Sequence, residues 1–250
     1  MSRSVDRITA ALCCDLAGNI ERVRYMFVPA QYREPDTSWL IDLIRQYPLA
    51  QLATNNTTAD APFITHLPAI LDPAAVEEPN GDLSGIELLG HMNRANPHWQ
   101  ALRSPTPALL VFTGPHAYVS PTIYQVTPAA PTWNFTAVHV HGVLETIDSP
   151  EQTLDVVKAT VTAYEKELGY GWDMSESIDY FHKLLPGVGA FRFSVSHAEG
   201  MFKLSQEQPP EVKQRVVRSF SDNKSGRHHE TACLMRRMSG ESLTEPSETR

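Results

Sequence analysis

Apolar residues recur along the chain with two periods, and each change of period marks a new element. Ile8, Leu12 and Leu16 recur every fourth residue, which predicts a short helix over 5–16, closed by Gly18-Asn19, within an N-terminal extension of residues 1–25. Trp39, Leu40, Leu43 and Ile44 follow Asp36-Thr37-Ser38, an available N-cap, and predict a helix that Pro48 ends. From Leu49 the helical period is lost. Residues 50–54 and 62–71, joined by an Asn-Asn-Thr-Thr turn, read as a hairpin, and the acidic stretch 72–84, with Pro73, Pro79, Asn80 and Gly81, reads as a loop. Strands are predicted over 86–91, 108–113 and 136–147, with a helix opened by Asn96-Pro97 before the second and Trp99 and Leu102 on its inner face. Asp148-Ser149-Pro150-Glu151 starts a helix reaching Leu168, and a second helix over 175–185 stops at Pro186-Gly187. A strand pair, 189–196 with 200–205, follows. A helix near 211–220 and a poorly ordered, polar and basic tail end the chain. The expected units are therefore the extension, a domain over 26–208 and a C-terminal segment over 209–250. Six or more strands joined by short turns, with helices grouped at the start and after residue 150, predict an α+β domain built on an antiparallel β-barrel.

Composition narrows the chemistry. A 42% hydrophobic fraction in 250 residues is that of a globular fold with a real core, and a formal charge of −8 argues against a nucleic-acid reader. Charges at Arg3, Asp6, Arg7 and Asp15 interrupt anything like a signal-peptide core, so the expected location is the cytoplasm and no membrane partner is expected. Cys13, Cys14 and Cys233 make neither a metal pair nor a disulfide framework and read as free thiols without a catalytic role. No glycine-rich dinucleotide or triphosphate motif is present.

One stretch concentrates coordinating and stacking groups. His116, Tyr118, Trp133, His139 and His141 fall within about one hairpin, among prolines and glycines that would hold them in place, which points to a ligand or cofactor pocket. His139 and His141 are two apart and share a face of any strand. No third ligand lies at a recognisable spacing, so zinc is a weak reading and a polar pocket wall serves as well. Trp133 and Tyr118 suit stacking on a flat cofactor, or plain core packing. His66 sits beside Pro68 in the apolar hairpin, where an unpartnered imidazole is costly to bury; a ligand role or a hydrogen-bonded core histidine would each account for it.

Six ordered blocks resemble the PaiB family of FMN-binding split barrels, usually described as negative transcriptional regulators. They are M-F-V-P-A-Q-Y-R-E at 26–34, T-H-L-P-A-I-L-D at 65–72, G-H-M-N-R-A-N-P-H-W at 90–99, G-P-H-A-Y-V-S-P at 114–121, P-T-W-N-F-T-A-V-H-V-H-G at 131–142 and K-L-S-Q at 203–206. The resemblance implies an antiparallel split β-barrel with flanking helices, and a homodimer with cofactor sites at the subunit interface. It departs from flavin-type members over 120–130, which lacks the tryptophan and lysine they commonly carry beside the site. That connection and the N-terminal extension look like the haem-dependent piperazate synthases, which close an N–N bond in N-delta-hydroxyornithine. On that resemblance the cofactor is haem b, with FMN as the alternative. His66 is the implied axial ligand, with His91, His116 and His139 as other candidates, and Trp133 stacks on the cofactor. Lys203 and Arg94 anchor an anionic group, and Tyr118, Thr136 and Lys203 hold the substrate. The rival expectation is an FMN-binding regulator or flavin-dependent reductase. A non-catalytic sensor using the basic tail after Arg215 is a third, though that tail shows no helix-turn-helix pattern.

Overall fold

The computed structural model describes residues 26–33, 36–56, 60–74, 82–223 and 225–240. Six strands close into one antiparallel barrel in the order β1-β2-β3-β6-β5-β4, where β1 is Leu49–Thr54, β2 Phe63–Leu71, β3 Glu87–Asn93, β4 Thr106–Val119, β5 Thr132–Ile147 and β6 Val188–Lys203. Each strand turns alternate residues inward. Leu52, Leu67, Leu88, Leu110, Phe112, Leu144, Phe191, Phe193 and Phe202 fill the interior and are all but inaccessible.

Seven helices flank the barrel among the described residues. Helix α1, Ser38–Gln46, adds Trp39, Leu40, Leu43 and Ile44 to the same core, so its apolar stripe is spent on the barrel. Helix α2, Pro97–Ala101, is capped by the Asn96 side chain, which accepts from the His98 amide. Helix α3, Pro121–Tyr124, is a single turn capped by Ser120. Helix α4, Pro150–Glu167, starts at a Ser149 cap with Pro150 in its first turn, as the sequence indicates, and lies over the outer side of β3 and the adjoining halves of β2 and β6. There Val156 meets Ile70, Leu89, Ile147 and Ala190 in a second apolar cluster. Helix α5, Ile178–Leu184, is framed by 3-10 turns and is shorter than the 175–185 expected.

The predicted helix over 5–16 lies outside the described residues. Three other expectations change. The pair 189–196 and 200–205 is one continuous strand, β6: the polar His197-Ala198-Glu199-Gly200 reads as a turn, yet it is paired to β5, and only a bulge opposite His141/Gly142 marks it. Strands β4 and β5 run farther than expected, taking Gly114–Val119 and Thr132–Phe135 into the sheet. The C-terminal segment is not a tail up to Met238. Helices α6, Pro210–Ser221, and α7, Gly226–Met238, pack Val212, Val216, Phe220, Ala232 and Met235 into the barrel core, so they belong to the same domain. No helix among the described residues is long and apolar enough to cross a membrane.

Candidate cofactor face

Helix α4 covers one flank of the barrel, and the outer face across β2, β1, β4, β5 and β6 displays exposed Leu49, Ile64, Tyr118 and Trp133 beside half-buried His139, His141 and Glu199. Strand alternation decides what it displays. The pairings Gln51↔His66, Gln51↔Val111, Val111↔His139 and His139↔Glu199 place His66, Gln51, Val111, His139 and Glu199 in one row of neighbours. The next row is Ile64, Ala53, Leu109, His141 and His197. Leu49, Ile64 and His66 are exposed, so the β1–β2 side presents apolar area around an imidazole. His66 itself makes no hydrogen bond with the described residues.

Farther along the same face His116, Tyr118 and Trp133 form an aromatic ledge. A bulge between Thr113 and His116 carries the outward alternation past Gly114-Pro115. A Cβ on Gly114 would sit 2.5 Å from Thr136 Oγ1 and 3.0 Å from Leu43 Cδ1, so only glycine fits that approach. Tyr118 and Trp133 are tilted at 5.9 Å, and the Trp133 indole N–H donates to His116 Nδ1 at 3.3 Å. Because indole is a donor only, His116 carries its proton on Nε2 and offers that N–H to the face. Lys203 donates to Thr132 Oγ1 at 2.7 Å and lies 5.7 Å over the Tyr32 ring, at the edge where segment 26–32 runs beside β6.

Six of the residues singled out by the sequence, His66, His116, Tyr118, Trp133, His139 and Lys203, thus share one face, although four strands contribute them. Two do not. Thr136 points inward, is fully buried and donates its hydroxyl to the Pro115 carbonyl, because it has the opposite parity to Trp133 and His139 on β5; it cannot hold a substrate on this face. Arg94 follows β3 at the barrel end, where its Nε donates to the Val188 carbonyl at 2.8 Å and its guanidinium lies 5.7 Å over Trp99. That bond ties it to the start of β6, at the barrel end and away from this face. His91 lies on the α4 flank with Leu89, and burial lowers its pKa. Asn96 is used as the helix cap and also donates to Thr65 Oγ1.

Sequence reasoning missed Glu199. It stands opposite His139, and its carboxylate, the His139 imidazole and the His141 imidazole present ligand atoms within 4.8 Å of one another. Burial lowers the pKa of both histidines, with the Glu199 charge opposing that shift, so each imidazole is neutral near pH 7. Glu199 also accepts from the Met26 amide. No local signal reveals this carboxylate, since only the β5–β6 register brings residues 139 and 199 together. A cleft of about 920 Å³ between α1 and α4, walled by Ile41, Ile44, Ile70, Ile86, Ala163 and Tyr164, contains none of these residues.

Residues 26–197 match the family described as "Putative FMN-binding domain". The chain belongs to that family. Among curated proteins it is similar to the Bacillus subtilis protease synthase and sporulation protein PAI 2, with 24% identity over 84% of this chain and 96% of that protein. An uncharacterised protein of Emericella nidulans is 28% identical over 79% of this chain and 91% of its own length. Among solved structures, the FAD and heme binding protein from Mycobacterium smegmatis superposes with a TM-score of 0.49 at 15% identity, over 73% of this chain and 78% of that one.

Proposed function

We propose that this face is a contact between two copies of the chain and would hold haem b through the His66 imidazole. On it the protein would act as a piperazate synthase, converting N-delta-hydroxyornithine to piperazate with loss of water. The observation that carries the haem reading is His66: an exposed imidazole without a hydrogen bond to the described residues, beside exposed Leu49 and Ile64. A neutral imidazole nitrogen is the donor haem iron takes, and an apolar surround suits a macrocycle. Three strand spacings of about 4.8 Å separate His66 from His139, so at about 14 Å the two cannot share one iron. Bound haem would supply a Lewis-acidic iron that weakens the N–O bond of the hydroxylamine.

The chain's own groups orient the rest. The substrate's α-amine must be neutral and folded back toward the hydroxylated nitrogen, an alignment task for the face. Lys203, held by Thr132 Oγ1, supplies a cation for a substrate carboxylate or a propionate, and His116, two strands away on the same face, adds a donor through Nε2–H. Tyr118 and Trp133 close one side and limit water. The substrate reading is supported by the connection 120–131, whose aromatic Tyr124 is buried, its backbone carbonyl accepting from Arg215, and which carries no basic side chain.

A second reading, FMN on the same face, is favoured by the family description. The test is turnover: haem-loaded protein incubated with N-delta-hydroxyornithine should give a product lighter by one water that co-elutes with piperazate. Haem-loaded protein that leaves the substrate unchanged would overturn the activity, and stoichiometric FMN in the purified protein would favour the second reading.

A further inference from the structure

On an observation separate from the haem reading, we infer that His139, His141 and Glu199 form a binding site for a divalent cation of the zinc class. Two imidazoles two apart on β5 project from the same face, and β6 delivers a carboxylate directly opposite the first. Two histidines and a glutamate are a zinc donor set that leaves a fourth position for water or a ligand group.

The geometry is close to what the ion requires. Zinc bonds nitrogen and oxygen donors at about 2.0–2.2 Å, which puts neighbouring donors of a tetrahedral shell about 3.3 Å apart. The three donor atoms already lie within 4.8 Å of one another, and His141 Nε2 is 3.8 Å from Glu199 Oε1. Side-chain rotations of about 1 Å would complete the shell, with no movement of the paired backbones.

The surroundings resemble the outer support that metal ligands use. His197 Nε2 lies 3.6 Å from Glu199 Oε2, and its Nδ1 lies 3.6 Å from Asp82 Oδ2. Asp82 in turn accepts from the Ser84 amide and hydroxyl. His197 thus stands between the Glu199 and Asp82 carboxylates at the rear of the cluster. The Met26 amide also donates to Glu199, which fixes the carboxylate further. Val111 and Leu109, beside His139 and His141 on β4, line the apolar side.

The site is tested on the untagged full chain by equilibrium dialysis with zinc chloride and by the visible ligand-field bands of added cobalt(II). The expected result is one tight equivalent per chain with tetrahedral cobalt bands. His141→Ala and Glu199→Gln should each weaken binding at least tenfold, whereas His66→Ala should leave it unchanged. Circular dichroism and unfolding midpoints show which variants remain folded, and Glu199→Gln, nearly isosteric, keeps the test available if His141→Ala does not fold. Parent protein that binds no zinc, or folded variants that bind it as tightly as the parent, would overturn the site. Because zinc uptake is read without haem, failure of one reading leaves the other distinguishable.

Discussion

Replacing His98 by alanine should cost about 3 kcal/mol of stability. The imidazole is 2% exposed and spans two strands: Nε2 is 2.8 Å from Thr54 Oγ1 on β1, and Nδ1 is 2.8 Å from Thr65 Oγ1 on β2. It also stacks on Phe63 with the rings 5.1 Å apart and nearly parallel at 13°. Truncation leaves the buried Thr54 hydroxyl without its partner, a penalty of about 1–3 kcal/mol. Thr65 loses less, because Asn96 still donates to its hydroxyl at 3.2 Å. The vacated ring volume adds about 1–2 kcal/mol, since paired strands cannot collapse far into it. With a urea m-value of about 3 kcal/mol/M for a chain of this size, the midpoint should fall by about 1 M at constant m. A double-mutant cycle with Thr54→Val should return a coupling of about 1 kcal/mol, because the orphaned hydroxyl is then gone. A loss under about 1 kcal/mol for His98→Ala, with m unchanged, would refute the claim that this imidazole ties β1 to β2.

Three further outcomes follow from individual contacts. Gly114→Ala should destabilise by about 1–3 kcal/mol, read as a lower thermal midpoint, because its Cβ would press on Thr136 Oγ1 and Leu43; an unchanged midpoint would mean the bulge relaxes freely. Burial holds His91, His98, His139 and His141 below their ordinary value, so the unfolded chain binds more protons once pH drops below about 6.5, and the stability they contribute is full above that pH and lost as pH falls through the lower folded values. Urea midpoints of cofactor-free protein should therefore drop between about pH 7.5 and about pH 5.5, and a rise on acidification would contradict the assignment. Lys203→Met should either reduce haem retention or weaken the spectral shift caused by N-delta-hydroxyornithine by about 1.5–3 kcal/mol, according to which anion it meets; unchanged binding and turnover would leave it as the partner of Thr132 alone.

Much of the barrel was legible because its strands alternate and its helices carry ordinary start signals, as at Ser149-Pro150 and Asn96-Pro97. The shared orientation of His139 and His141 followed from period two alone. The same rule excludes Thr136 from that face, since it differs in parity from Trp133 once β5 is known to run unbroken from Thr132. Glu199 was hidden for a different reason: its neighbours read as a turn, and pairing to β5 past the bulge overrode that local preference. Helix α7 was lost among Arg227, Arg236 and Arg237, whose charges suggested a solvated tail. In the fold Arg237 instead bonds Asp42 at 2.7 Å and stacks over Trp39 at 4.3 Å, turning the apolar positions Ala232 and Met235 inward. His98, quoted within a block but given no role, depended on two threonines from different strands.

The visible spectrum of the full chain reconstituted with haem b, compared with His66→Ala prepared in the same way, tests the central claim most directly. The parent should bind one haem per chain and show the Soret and weaker bands of an imidazole-ligated iron. His66→Ala should remain folded and lose tight haem, with partial recovery on adding free imidazole. An unchanged Soret band in folded His66→Ala, or a parent that rejects haem and takes up FMN instead, would contradict it.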